Sequence, residues 1–389
     1  MRKSTKKLIA LTLACLMLAT LFVGCGKKDD GGSSGGDTIK LGWMGSLTGD
    51  QAAYGTCESQ TLKMMVEDLN ANGGLLGKQV ELICYDTKGD AQEAVNVAKR
   101  LCAQDQVCAI IGPNASGQCI AIQSVLDQYK ISDMSTVATN EKVTMQDGQL
   151  KEYNFRVCFL DPFQGSVMAS FAMEEFGAKK AYVLSMLGDD YTVGLAKNFV
   201  IAFEAAGGEI VADETFVEGT ADFSAYLNNA VAGGADVIFA PSAIAYAPQI
   251  IEQASALGIS LPILGGDTWE NSAISDAQNG TDMQVFVSTF FDENDESGLA
   301  KEFVTGYKAW LNGNSQNLTN NGGNDVVAAV SALGYDAYMT AVAAIEKAQS
   351  TDGTAIRDAL YGVNYDGVTG NITFDQTTGD ANKDMAYIK

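Results

Sequence analysis

Residues 39–86 read IKLGWMGSLTGDQAAYGTCESQTLKMMVEDLNANGGLLGKQVELICYD. Two short apolar runs, at 39–44 and 80–85, flank a polar-apolar stretch at 54–70. That stretch puts Leu62, Met65, Val66 and Leu69 on one face at helical spacing. Gly73 and Gly74 then stop the helix, because glycine takes left-handed cap geometry without a Cβ penalty. The stretch therefore predicts a strand, a crossover helix and a second buried strand.

The same alternation continues outward. Helix 91–103, strand 107–111, helix 117–128 and strand 130–133 follow in order. A second series begins after Phe155-Arg156-Val157, with helices at 164–176, 193–206, 222–232 and 247–257 between strands at 181–186, 209–216, 236–240 and 262–264. The fold class is α/β, with two doubly wound halves. A strand at 285–289, a helix at 299–310, a long helix at 326–347 and a strand-like 371–374 follow the second half, so the chain crosses between halves more than once. A length of 389 residues suits two such lobes.

Composition narrows the chemistry. Asp and Glu total 48 against 25 Lys and Arg, a formal charge of -23, while 47% of residues are hydrophobic. That balance excludes a nucleic-acid binder and supplies ample core. The chain has no His at all, which removes Ser/His/Asp and Cys/His catalysis, His-ligated zinc and imidazole switching. The run GGLLGK at 73–78 lacks the first Gly and final Ser/Thr of a phosphate loop, and DENDES at 292–297 lacks the Gly and final Glu of a calcium loop. The reading is a non-enzyme with no cofactor and no metal.

At the N-terminus, Arg2, Lys3, Lys6 and Lys7 precede an apolar or small run at 8–24, the pattern of a secretory signal peptide over residues 1–24. Phe22-Val23-Gly24-Cys25 resembles a bacterial lipobox, apart from Phe where Leu is usual, and makes Cys25 the lipid attachment site. Residues 25–37, rich in Gly, Ser and charge, read as a flexible tether. The expected location is extracytoplasmic, lipid-anchored on the outer face of the bacterial cell membrane. Cys57, Cys84, Cys102, Cys108, Cys119 and Cys158 form no C-x-x-C, and several sit inside apolar patterns, as mostly buried thiols do.

Eleven runs now carry a resemblance. They are IKLGWMGSLTGDQAAYG, LNANGGLLGKQVELICYD, AIIGPNAS, STVATNEKVT, DYTVGLA, AFEAAGGEIV, DFSAYLN, ADVIFA, LPILGGDTW, ALGYDAYMTAVAAIEKA and DGVTGNITFD, in that order along the chain. The chain resembles the leucine/isoleucine/valine-binding proteins of ABC transporters. The resemblance implies a type I periplasmic-binding-protein fold, two lobes joined by three crossover strands. Lobe one would be 37–157 plus 290–366, and lobe two 158–289 plus 367–389. It also implies a monomer that captures an amino acid between the lobes and delivers it to ABC permease subunits. Alternatives are a receptor for another small polar solute such as an amide or urea, or a ligand-sensing module.

The site carried over by the resemblance has two sides. Ser116, just ahead of helix 117–128 in the position of an N-cap, offers its hydroxyl and neighbouring amides to a carboxylate. Val137, Ala138 and Thr139 match the segment that supplies main-chain groups and a Thr hydroxyl. Across the cleft, Asp267 in GGDTW matches the acid that meets the ammonium, and Tyr191 in DDYTVG the aromatic that closes over the ligand. Tyr54 lies at the rim, with Trp43 and Trp269 as further rim candidates. Where branched-chain binders carry a second lobe-two Tyr, the chain reads SAIAYAP, with Ala243 or Ile244 in that place and Tyr246 displaced.

Overall fold

A computed structural model describes residues 38–296 and 298–389. The signal peptide, the Cys25 attachment site and the tether fall outside the described residues.

Two sheets organise the chain. In the first, strands β1 (Ile39–Gly45), β2 (Val80–Asp86), β3 (Ala109–Ile111), β4 (Asp133–Ser135) and β7 (Asn154–Arg156) stand in the order β2-β1-β3-β4-β7, all parallel. β5 (Met145–Gln146) and β6 (Gln149–Leu150) form a separate hairpin. The crossovers α1 (Ala52–Ala71), α2 (Ala91–Arg100) and α3 (Ser116–Tyr129) connect the first four strands. Strand residues alternate between two buried faces: Ile39, Leu41 and Trp43 pack on one side, Met44 and Ile110 on the other. Burial on both sides explains why these strands read as nearly continuous apolar runs.

The second sheet has the order β15-β12-β11-β10-β8-β9, formed by β8 (Lys180–Met186), β9 (Glu209–Phe216), β10 (Val237–Phe239), β11 (Ile263–Gly265), β12 (Val285–Thr289) and β15 (Tyr387–Ile388). Only β15 runs antiparallel, against β12. Helices α4 (Asp161–Phe176) and α5 (Asp190–Ala205) pack together on one face, and α6 (Ser224–Ala232) and α7 (Ala247–Ala256) cover the other.

The crossover segments meet at Phe159 and Phe290, whose rings stack with centroids 3.9 Å apart. After β12 the chain returns to lobe one, where its chief element is the long helix Ala329–Ala348, which lies against α1. One expected boundary moves. Val368, Ile372, Phe374 and Ala381 belong to the first lobe's core, and Asp380 pairs with Arg156 there, so the return to lobe two falls just before β15 rather than at 367. The apolar side chains of 368–381 find their matching surface on lobe one, and only β15 bonds to β12. The six described cysteines are free thiols, all buried but Cys84.

Candidate functional site

Four segments that follow the carboxyl ends of β3, β4, β8 and β11 converge between the lobes, where open parallel sheets place their ligand sites. After β3 the chain turns at Gly112, with φ +85; a Cβ there would lie 2.2 Å from the Met44 carbonyl oxygen. The turn delivers Asn114 and Ser116 to the cleft. Ala115, with φ -100 and ψ 135, is the N-cap of α3, so Ser116 is the first helical residue and does no capping. Its Oγ accepts from the Asn140 N–H at 3.3 Å, leaving its own hydrogen to donate. Gln118 N–H already donates to the Ala115 carbonyl at 3.1 Å, so the Ser116 and Gly117 N–H groups remain to present the positive end of the helix dipole. This corner suits an anion.

After β4, residues 137–140 are held from below by Arg156, which is fully buried. Its Nη1 donates to the carbonyls of Ala138 and Asn140, both at 2.8 Å, its Nη2 to Thr144 Oγ1 at 2.9 Å and its Nε to Asp380 Oδ1 at 2.8 Å. The Ala138 N–H donates to Ser135 Oγ at 3.3 Å. Both backbone groups of Ala138 are thus engaged by the protein, its carbonyl with one lone pair still open. Val137 lines the pocket, and the buried Thr139 hydroxyl has no partner.

On lobe two, Asp189 caps α5 through the Thr192 N–H at 2.7 Å and sets Tyr191 on its first turn. The Tyr191 hydroxyl donates to Asp267 Oδ1 at 2.9 Å, and Gln164 Nε2 donates to the same oxygen at 2.9 Å. Asp267 Oδ2 has no partner. Burial pushes the Asp267 carboxyl up to about 6, against the pull of those two donors. Beside it, at the start of α4, stands Asp161, 1% exposed with neither oxygen bonded. Burial pushes it up to about 8; the Thr139 hydroxyl facing it opposes that rise and the nearby Asp267 reinforces it.

The lobes are shut on one another. Tyr54 donates its hydroxyl to the Asp267 carbonyl at 2.8 Å, Asn140 Nδ2 to the Asp190 carbonyl at 2.6 Å, and the Tyr246 hydroxyl to Asp50 Oδ2 at 2.8 Å. At Gly194 a Cβ would fall 2.4 Å from Asn140 Nδ2 and 2.7 Å from Asp161 Oδ2, so that approach requires glycine. A narrow pocket remains, bounded by Tyr54, Asn114, Ser116 and Val137 from lobe one and Tyr191, Ile244 and Thr268 from lobe two.

Trp43 and Trp269 leave the rim. Both are fully buried, Trp43 in the lobe-one core and Trp269 in the lobe-two core, with Trp269 Nε1 donating to the Ser242 carbonyl and hydroxyl at 3.1 Å. Asp161, Gln164, Asn114 and Glu58 were absent from the expected set. Their signal was faint: Asp161 sits in LDPFQG, where Asp-Pro marks a helix start three residues before the one expected. A larger cavity beside the hinge, lined by Cys57, Glu270 and Val287, is satisfied internally: Glu270 accepts from Lys389 Nζ and the Ala329 N–H, both at 2.5 Å.

The two lobes close on a pocket lined by Ser116 and by Tyr191, whose hydroxyl bonds the buried Asp267 carboxyl. Residues 38–389 match the family model for periplasmic binding proteins, and the chain belongs to that family. It is similar to a leucine binding protein, LivK, from Thermotoga maritima, with 30% identity and a TM-score of 0.80, covering 90% of this chain and 98% of that one. The branched-chain amino acid transporter substrate binding protein LivJ from Streptococcus pneumoniae, solved with isoleucine, shares 31% identity at a TM-score of 0.81, covering 90% and 95%. A Leu/Ile/Val-binding protein homolog of Brucella melitensis is 27% identical over 341 residues, 87% of this chain and 88% of that protein.

Proposed function

We propose that the protein is the extracytoplasmic solute receptor of an ABC importer, that it binds an α-amino acid between its lobes, and that it hands this ligand to the permease. Cys25 carries the lipid that holds it to the membrane, and residues 25–37 give it reach. Ser116 and the first turn of α3 receive the carboxylate. Asp267 and Asp161, with the Thr139 hydroxyl, receive the ammonium, and Val137, Tyr54 and Tyr191 enclose it.

One observation carries this reading: buried polar atoms left without partners lie on both lobes of one closed cleft, namely Thr139 Oγ1, both Asp161 oxygens and Asp267 Oδ2. An unsatisfied buried polar group costs about 1–3 kcal/mol, and more when charged. A ligand ammonium, with three N–H donors, relieves most of these at once, and a buried ammonium in turn requires such countercharge. The names of the relatives support the same class of ligand, since the pneumococcal protein was solved with isoleucine.

Isothermal calorimetry of residues 26–389 against the common amino acids, with urea and short amides as controls, tests the reading. Binding of at least one α-amino acid, abolished by removing either its carboxylate or its ammonium, is expected. Binding of amides or urea alone would replace it with the other polar-solute reading.

A further inference from the structure

Once the head group of an amino acid is placed between Ser116 and Asp267, the remaining pocket wall consists of Gln51, Tyr54, Asn114, Ile244 and Thr268, and the solute's side chain must run along it. Asn114 is 3% exposed, and both its amide oxygen and its amide nitrogen lack hydrogen-bond partners. It forms the boundary with a second set of unsatisfied groups deeper in lobe one.

Glu58 lies four residues beyond Tyr54 on the same face of α1, fully buried, with neither carboxyl oxygen bonded. Trp43 Nε1, the Thr136 hydroxyl and Asn114 are turned towards that carboxyl, yet none reaches hydrogen-bonding geometry. Gly334 of the long helix seals the far side: a Cβ there would stand 3.4 Å from Glu58 Cγ. Six buried polar atoms around the Glu58 carboxyl thus lack a partner, although structural cores normally leave few such groups unpaired. Asn114 alone of these residues also lines the ligand pocket.

We propose that Asn114, backed by Glu58, is the side-chain selector of this receptor, and that the preferred solute is an α-amino acid whose side chain carries an uncharged hydroxyl or amide. This rests on the amino-acid reading above and names its ligand more closely. A polar side chain, directly or through a water that it holds, completes Asn114 and reaches the donors and acceptors around Glu58. An aliphatic side chain leaves them all unmet, and sites built to hydrogen-bond a ligand group discriminate strongly against analogues that lack it. Burial pushes Glu58 up to about 8, so at neutral pH it is largely a neutral acid, able to donate as well as accept and with little to attract a cation.

Calorimetry with the pair threonine and valine, which are close in shape, tests this directly, extended by glutamine against leucine and by lysine. Threonine is expected to bind about ten-fold or more tighter than valine. Asn114→Leu should abolish or reverse that ratio, Glu58→Gln should preserve it and Glu58→Met should shrink it, each variant being checked for an intact melting transition. If Asn114→Leu does not fold, the wild-type ratio still decides. Valine at least as tight as threonine, lysine tightest of all, or a ratio unmoved in a folded Asn114→Leu protein would overturn the proposal. Failure of every α-amino acid to bind would overturn the receptor reading on which it rests.

Discussion

The hydroxyl of Tyr54, on the first lobe-one helix, donates to the main-chain carbonyl of Asp267, on lobe two, at 2.8 Å. The bond links the two lobes at the residue whose carboxylate faces the cleft, so closure ties lobe one to that acid's own backbone. The Asp267 side chain is aimed separately, by Tyr191 and Gln164, both from lobe two. The acid is therefore preset on one lobe, and the other lobe locks onto its backbone when the cleft shuts.

Tyr54→Phe removes that bond while keeping the ring. A typical net hydrogen bond contributes about 0.5–1.5 kcal/mol, so ligand affinity should fall roughly two- to ten-fold, through loss of closure rather than loss of fold. Calorimetry and a thermal melt of the unliganded variant check this: affinity drops while the unliganded melting temperature stays within a few degrees.

Asp267→Asn keeps shape and removes charge. Breaking a buried charge pair costs about 3–5 kcal/mol, so the affinity for the identified amino acid should fall on the order of a hundred-fold or more. The unliganded variant should melt no lower than wild type, since a carboxyl that burial had already pushed up is gone. Wild-type affinity in the variant would remove Asp267 from the ammonium site.

Acid has opposite effects on the empty and the filled receptor. Asp267, Asp161 and Glu58 all titrate above their ordinary 3.8, 3.8 and 4.5, at about 6, 8 and 8. Each prefers its proton in the fold, so its stabilising contribution is complete below the ordinary value and is lost as pH rises through the folded one. The unliganded melting temperature should therefore fall between pH 5.5 and 8.5. An ammonium ligand needs Asp161 and Asp267 ionised, so affinity should rise over the same window and binding should release protons. Differential scanning fluorimetry and calorimetry in buffers of different ionisation heat measure both; affinity that rises on acidification would refute the ammonium assignment.

Sequence periodicity located most of the strands and helices because each sheet is buried on both faces and each crossover helix shows one apolar stripe. Trp43 was legible too, since Ile39, Leu41 and Trp43 alternate onto one core face, a pattern that outweighs any rim role. The glycines of GGDTW have a use that only the fold reveals. A Cβ at Gly265 would meet the Trp269 ring at 2.5 Å, and one at Gly266 the Tyr191 hydroxyl at 2.2 Å. Arg156 escaped the reading because its partner Asp380 is 224 residues away and no local pattern joins them. Glu58 escaped because a polar residue in an amphipathic helix reads as solvent-facing, whereas here the long helix covers it.

Cys25→Ser tests the membrane anchor. Growth in labelled fatty acid should tag the wild-type protein and leave the variant unlabelled and released from membranes. Label persisting on the variant would refute the lipobox.

In the proposed function, ligand capture and lobe closure are one step. Small-angle scattering of residues 26–389 with and without a saturating amino acid, its binding confirmed by calorimetry, measures it most directly. A smaller radius of gyration is expected on binding, and a reduced change in Asp267→Asn at the same ligand concentration. Equal radii in the two states would contradict the clamp.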